Sequence, residues 1–320
     1  MCHDPAPDPP ATPPPTRGEL ATEQRLTASA ALDTLATADV LRVINDQDAT
    51  IAGVVRQAIP QLARLVDAVA RALRDGGRLI YLGAGTSGRL GVLDASECPP
   101  TFHSDPEQVV GVIAGGDAAL RRAGEAAEDD EPAGAAAIAD LDVSRRDVVL
   151  GIAAGGTTPY VWGALAEAAH RGATTAMLTC VPLGRIARLR DRPTPAPDHL
   201  IELPVGPEVI TGSTRLKAGT ATKLALNMIT TTAFVALGKT WGNLMIDLRA
   251  SNAKLRDRAL RILTSQTDLP PDQARDCLDR AGGRVKLALV MARLDVDAAE
   301  AQRRLEAADG RLRAILGPPR

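Results

Sequence analysis

Five short apolar runs, each bounded by Gly, Pro or charged residues and each followed by a helix-like stretch, constrain this chain more than any other feature. They fall at 78–82, 109–114, 147–153, 174–180 and 199–203. Runs this short and this continuously apolar suit strands buried on both faces, the condition of a parallel sheet. Between them the apolar spacing predicts helices at about 86–95, 117–139, 158–171 and 184–190, and a long helix over 213–237 closes the set. The expected architecture is α/β: a doubly wound five-stranded parallel sheet with flanking helices.

The flanks differ in character. Residues 1–18 hold seven prolines and little that could be buried, so a disordered tail is expected there. A helical pattern begins over 32–45 and resumes through Ile51, Val54, Val55, Ile59, Leu62, Leu65, Val66, Val69 and Leu73. Pro60 is expected to kink or divide that second stretch. After about Arg256 no strand candidate remains. Three amphipathic helices fit 270–281, 284–293 and 296–307, with Gly282-Gly283 ending the first and a joining helix around 258–263. The implied organisation is a tail (1–18), an α/β domain with N-terminal helices (19–256) and a small helical module (257–320).

Composition removes several function classes. Only Tyr81, Phe102, Tyr160, Trp162, Phe234 and Trp241 are aromatic, and the net charge is −2. Base stacking and a basic footprint are both missing, so no nucleic-acid partner is expected. The charge-free apolar stretch between Lys223 and Lys239 carries Asn227 and Thr230 to Thr232 and is too short to span a bilayer, so no membrane partner is expected either. Cys2, Cys98, Cys180 and Cys277 show no CxxC spacing and the four histidines are scattered, so no metal site is expected. With no signal-peptide pattern at the start, the expected location is the cytoplasm.

Two Gly-rich turns join a strand to a helix. Gly83-Ala84-Gly85-Thr86-Ser87-Gly88 satisfies GxGxxG, but Asp117 lies too far downstream to serve as the ribose-binding acid of a dinucleotide fold. Thr86 and Ser87 instead set two hydroxyls beside free N–H groups at a helix start, which suits a phosphate monoester. The second turn, Gly155-Gly156-Thr157-Thr158-Pro159, repeats the pattern, and two such strand ends could clamp one phosphate at the carboxyl edge of a parallel sheet. Ordinary helix capping accounts for the hydroxyls of either turn equally well on sequence alone. A third candidate, Thr211 to Lys223, brings Ser213, Arg215 and Lys217 to the start of the long helix. Cations there oppose the helix dipole unless an anion sits among them.

Carboxylates follow the first loop. Glu97 stands near the end of its helix, where Pro99-Pro100 is expected to stop it. Glu125, Glu128, Asp129, Asp130 and Glu131 form an acidic cluster that by itself reads as a solvated face. Should one of these acids share a cleft with Glu97, the pair could divide acid and base work.

These residues together carry a specific resemblance. The block from Tyr81 to Phe102, with Gly-Ala-Gly-Thr-Ser-Gly-Arg and Asp-Ala-Ser-Glu-Cys-Pro-Pro-Thr-Phe, resembles the signature of the N-acetylmuramic acid 6-phosphate etherases. The resemblance continues through Ala114-Gly-Gly, Ala127-Glu-Asp-Asp, the stretch from Gly212 to Met228 and the stretch from Gly242 to Leu255, and covers nearly all of the chain from about Thr22. It implies a sugar-isomerase (SIS) domain followed by a module similar to a UBA domain, a homodimer, and neither metal nor redox cofactor. It also implies cleavage of the D-lactyl ether of a small sugar phosphate, N-acetylmuramic acid 6-phosphate, to N-acetylglucosamine 6-phosphate and D-lactate.

By the same resemblance Glu97 matches the family's proton-donor glutamate and Glu128 its second catalytic glutamate, with Gly85, Thr86, Ser87, Gly88, Gly156, Thr157, Thr158, Ser213 and Lys217 expected to bind substrate or phosphate. The chain departs from its relatives at two places. Where they often read Ala-Ser-Gly-Arg-Thr-Pro-Tyr, Gly155 and Thr157 replace the Ser and the Arg, and Leu26 stands where Asn is frequent. A non-catalytic sugar-phosphate regulator of SIS type is the alternative that the altered Gly155–Thr157 loop keeps open. An NAD-dependent dehydrogenase would rest on GxGxxG alone.

Overall fold

Every residue of the strand Leu79–Gly83 (β1) is buried, and its side chains alternate between two separate cores. Leu79 and Tyr81 face one core, Ile80 and Leu82 the other. A strand covered on both faces leaves no room for polar alternation, which is why this segment reads as an unbroken apolar run. The computed structural model describes residues 17–122, 124–186, 196–248 and 252–320. The proline-rich segment up to residue 16 and the end of the expected 184–190 helix lie outside them.

Four more strands join β1: Val109–Ile113 (β2), Val148–Ile152 (β3), Thr174–Thr179 (β4) and His199–Glu202 (β5). All pair in parallel, in the order β2-β1-β3-β4-β5. The chain thus moves outward from β1 to β2 and then returns past β1 to β3. Crossovers on either side of that reversal diverge and leave a crevice at the carboxyl ends of β1 and β3. Gly83 pairs with Ile152 there, so the two Gly-rich turns begin side by side.

Before the sheet run Thr37–Asp48 (α1), Ile51–Gln57 (α2) and Ile59–Arg74 (α3). Pro60 divides α2 from α3 and occupies the first turn of the latter, where its missing N–H leaves no bond unmade. Gly85–Phe102 (α4) follows β1; Ala118–Arg121 (α5) and Glu131–Asp140 (α6) follow β2. Pro159–His170 (α7) follows β3, Leu183–Ile186 (α8) follows β4 and Lys217–Ala236 (α9) follows β5. Helices α3, α4 and α9 cover one face of the sheet, and α6 and α7 the other. On that second face Gly134 and Gly163 let the helices α6 and α7 touch backbone to backbone, since a Cβ at Gly163 would lie 2.1 Å from the Glu131 carbonyl oxygen.

Three sequence expectations change. Pro99-Pro100 does not stop α4, which runs to Phe102 before His103 turns left-handed at φ 49°. The rings of Phe102 and Phe234 stack at 4.6 Å, and that contact holds a last turn that two prolines would otherwise fray. The expected helix 117–139 is two helices with a 3₁₀ turn, Glu125–Asp129, between them. Asp130 starts α6 anew by accepting the Ala133 N–H at 2.9 Å. The long helix expected from residue 213 begins at Lys217, because the fully buried Glu208 carboxylate accepts the N–H groups of Lys217 and Ala218 at 2.9 Å each.

Downstream, a ribbon of Thr240–Trp241 (β6) and Leu244–Met245 (β7) precedes Ala253–Gln266 (α10), Pro271–Arg280 (α11), Val285–Leu294 (α12), Ala298–Ala307 (α13) and Leu312–Leu316 (α14). The ribbon was not anticipated. Trp241 of the ribbon and the following Ile246 and Leu248 pack into the core of the helical module, which therefore draws on residues upstream of the expected junction at 257. No helix among the described residues is long and apolar enough to cross a membrane.

Asp147 ties the starts of β1 and β3 together. It accepts from the Arg78 backbone and guanidinium and from the Ser144 N–H, and it is 3% exposed. Burial alone would raise its pKa, but the Arg78 and Ser144 hydrogen bonds outweigh it and hold the carboxyl below the usual aspartate value. A depressed folded pKa gives stability that is complete above the unfolded value and lost as pH falls through the folded one. Asp147→Asn should therefore cost about 3 kcal/mol near neutrality, with the difference from wild type closing below about pH 4, as read by urea unfolding across pH.

Candidate functional site

The cleft over the β1–β3 divergence encloses about 390 Å³ and is lined by Gly85, Thr86, Ser87, Gly155, Thr157 and Thr158, among others. Both Gly-rich turns reach it because their parent strands are neighbours. The first turn presents the start of α4, an 18-residue helix whose leading N–H groups have no partner within the helix. Gly85 makes the turn at φ 52°. Gly88 then lets the helix settle onto the strand: a Cβ there would lie 2.5 Å from the Gly83 carbonyl oxygen and 2.7 Å from Ile113 Cγ1.

The capping explanation of the hydroxyls fails on this geometry. Ala84 and Thr158 occupy the cap positions of α4 and α7, and neither makes a side-chain cap hydrogen bond. Thr86, Ser87, Thr157 and Thr158 line the cleft instead. Amides and hydroxyls converging at a helix start with partial positive charge form an anion site. No lysine or arginine lines it among the described residues.

The remaining expected residues take different places. Gly156 (φ 71°) shapes the second turn, with its carbonyl accepting the Trp162 Nε1–H at 2.7 Å. Neither Ser213 nor Lys217 lines the cleft. Lys217 is 3% exposed, its Nζ bonds Gln47 Oε1 at 3.2 Å, and burial lowers its pKa. The anion expected near these cations is internal, since Glu208 already caps α9.

Glu128 lines the cleft. Next to it Ala127 packs on the core, and the Arg89 guanidinium reaches from α4 to the α5 carbonyls of Ala119 at 2.7 Å and Leu120 at 3.1 Å. Glu97 is absent from the lining. Twelve residues beyond Gly85, it stands about 18 Å along α4 on an exposed stripe with Leu93. Inward from that stripe lies Asp94, whose Oδ2 accepts from Tyr81 and from Thr230 at 3.0 Å each. Burial raises the Asp94 pKa and pushes the Cys98 thiol up to about 12, so Cys98 stays protonated and unreactive.

Gly212 and Thr214, from the third candidate stretch, line the cleft, whereas sequence reasoning missed Leu20 and Glu23. The N-terminal segment runs in short 3₁₀ turns. Its Thr22 carbonyl accepts the Gly212 N–H at 3.2 Å. Only the departure at Leu26 drew attention to this segment in the sequence.

A family model of the glucokinase regulatory protein N-terminal SIS domain matches residues 61–169. Among curated proteins, the chain is 54% identical to an N-acetylmuramic acid 6-phosphate etherase of Gloeobacter violaceus, over 94% of this chain and 96% of that one. It is 51% identical to the etherase of Klebsiella aerogenes, over 93% and 97%, and 51% identical to that of Rubrobacter xylanophilus, over 95% and 98%.

Two variants test the site. Gly88→Ala should force α4 off β1, costing about 1–3 kcal/mol of stability in thermal unfolding and weakening binding of inorganic phosphate. Thr157→Arg places a cation in a cleft that lacks one and should tighten inorganic phosphate about tenfold, as measured by calorimetry.

Proposed function

The chain belongs to the N-acetylmuramic acid 6-phosphate etherase family, and from that premise we propose that it cleaves the D-lactyl ether of N-acetylmuramic acid 6-phosphate, giving N-acetylglucosamine 6-phosphate and D-lactate. The observation that carries the reading is a carboxylate, Glu128, in the same cleft as the hydroxyls and helix-start amides of both Gly-rich turns.

The chemistry follows from what such a cleft can do. The turns hold the 6-phosphate through Thr86, Ser87, Thr157, Thr158 and the α4 amides. In the open-chain sugar the C2 proton is α to the C1 aldehyde, so a carboxylate base can remove it. The electron pair forms the C2–C3 double bond as the C3–oxygen bond breaks, and a general acid protonates the departing lactyl oxygen. Water then adds its oxygen to C3 while C2 regains a proton. Each step moves a proton under positional control, which is work for two carboxylates of different environment.

Glu128 is one of the two, and Glu97 is the other. Since Glu97 lies about 18 Å along α4 from Gly85, it enters the reaction in a homodimer, from the partner chain. The exposed apolar side chains Leu93 of α4 and Met228 and Val235 of α9 support such an interface. The free, buried thiols of Cys98, Cys180 and Cys277 suit a reducing, cytoplasmic location.

Purified protein incubated with the substrate should release D-lactate, and absence of release overturns the reading. Glu97→Gln and Glu128→Gln should each lower turnover about 10²–10⁴-fold with the fold intact. Mixing the two inactive variants, unfolding and refolding them together, should restore part of the activity, because mixed dimers regain one complete site. Full turnover in either variant alone would remove that residue from the mechanism.

A further inference from the structure

We propose that Glu23 binds the sugar portion of the substrate, accepting a hydrogen bond from a hydroxyl or amide N–H while the Gly-rich turns hold the phosphate. This rests on the phosphosugar reading above and adds a residue to it.

Glu23 lines the cleft together with Glu128 and the hydroxyls of the two turns. It is exposed, and its carboxylate makes no hydrogen bond or ion pair with the described residues. Its backbone, by contrast, is fixed from both sides. Leu20 is 4% exposed and packs among Ile80, Leu82 and Ala153. Thr22 is fully buried, and the Glu23 N–H closes the turn onto the Leu20 carbonyl at 2.9 Å. The turn keeps this shape although it leaves the Thr22 hydroxyl buried without a partner among the described residues. A shape retained against its own hydrogen bonding is a frequent mark of a functional position.

The neighbouring loop leaves room for the carboxylate. Gly212 adopts φ 76°, and a Cβ there would lie 3.2 Å from Glu23 Oε2. An ionised carboxylate only accepts hydrogen bonds. In a cleft built for an anion and holding no cation, a second fixed negative charge repels a phosphate that enters the wrong way round. It rewards the orientation that offers it a neutral donor. A pyranose or open-chain amino sugar supplies such donors, and inorganic phosphate does not require them.

Calorimetric titration of N-acetylglucosamine 6-phosphate and of inorganic phosphate into wild type, Glu23→Gln and Glu23→Ala separates the roles. The sugar phosphate should bind Glu23→Ala about tenfold more weakly. Inorganic phosphate should bind both variants at least as tightly as wild type, because an anion has left the cleft. In lactate release, KM should rise in parallel with little change in kcat. Unchanged affinity for the sugar phosphate overturns the proposal. So does a collapse of kcat at constant KM, which would make Glu23 a proton-transfer group. Loss of inorganic phosphate binding in the isosteric Glu23→Gln also overturns it, by showing a structural role. Should wild type bind the sugar phosphate yet release no lactate, the etherase reading fails while the Glu23 comparison stands.

Discussion

The close seating of α4 on β1 is the contact on which the rest of the site depends. Gly88 stands where any side chain would strike the Gly83 carbonyl, and Gly91 and Gly111 extend the same seam, with Cβ positions 2.9 Å from Tyr81 Cβ and 2.5 Å from Val92 Cα. Three small residues thus let an 18-residue helix lie against the sheet with its amides aimed over the strand ends. Arg89, one residue beyond the turn, then carries that placement outward by gripping the carbonyls that precede the Glu128 turn. The first Gly-rich turn is located by one helix because its distance from the sheet is set by backbone contact, which is stiffer than contact through flexible side chains.

The cleft is lined by helix-start backbone and hydroxyl-bearing residues, with no lysine or arginine among the described residues. Oriented amides and hydroxyls can hold a phosphate with no counter-charge, since the helix start supplies positive potential and the donors lose little entropy on binding. Of the cations that the sequence offers at the start of α9, Lys217 reaches to Gln47 instead. The buried carboxylates are engaged too: Glu208 closes the start of α9, and Asp94 is held by Tyr81 and Thr230 in the core. What remains in the cleft is negative, Glu128 and Glu23. Such a site favours ligands whose anion is confined to one end and whose other end brings neutral donors.

Much of the fold was legible in the sequence, for identifiable reasons. The five strands announced themselves because burial on both faces demands unbroken apolar runs, and the two Gly-rich turns because only glycine permits the approach seen at Gly88. The end of α4 was misread because local proline chemistry says stop, whereas the Phe102–Phe234 stack, 132 residues apart in sequence, holds the turn. The start of α9 was misread because the group that sets it, Glu208, looks like any loop glutamate until it is seen buried against two amides. Glu23 left no signal, since no spacing rule connects residue 23 with residues 86 and 157.

By itself, then, the sequence determined the parallel sheet, the two hydroxyl-bearing turns, the helical module and, by its signature block, the family, because each of these is written in residues close together in the chain. The tertiary structure decided which groups meet. Strand order placed the two turns side by side at the β1–β3 divergence, and packing of Leu20 and Thr22 brought Glu23 to them. The rise of α4 set Glu97 apart, one residue at a time. The physical reason for the division is range. Periodicity and turn chemistry act over a few residues, while a site is assembled by contacts that only the folded chain can make.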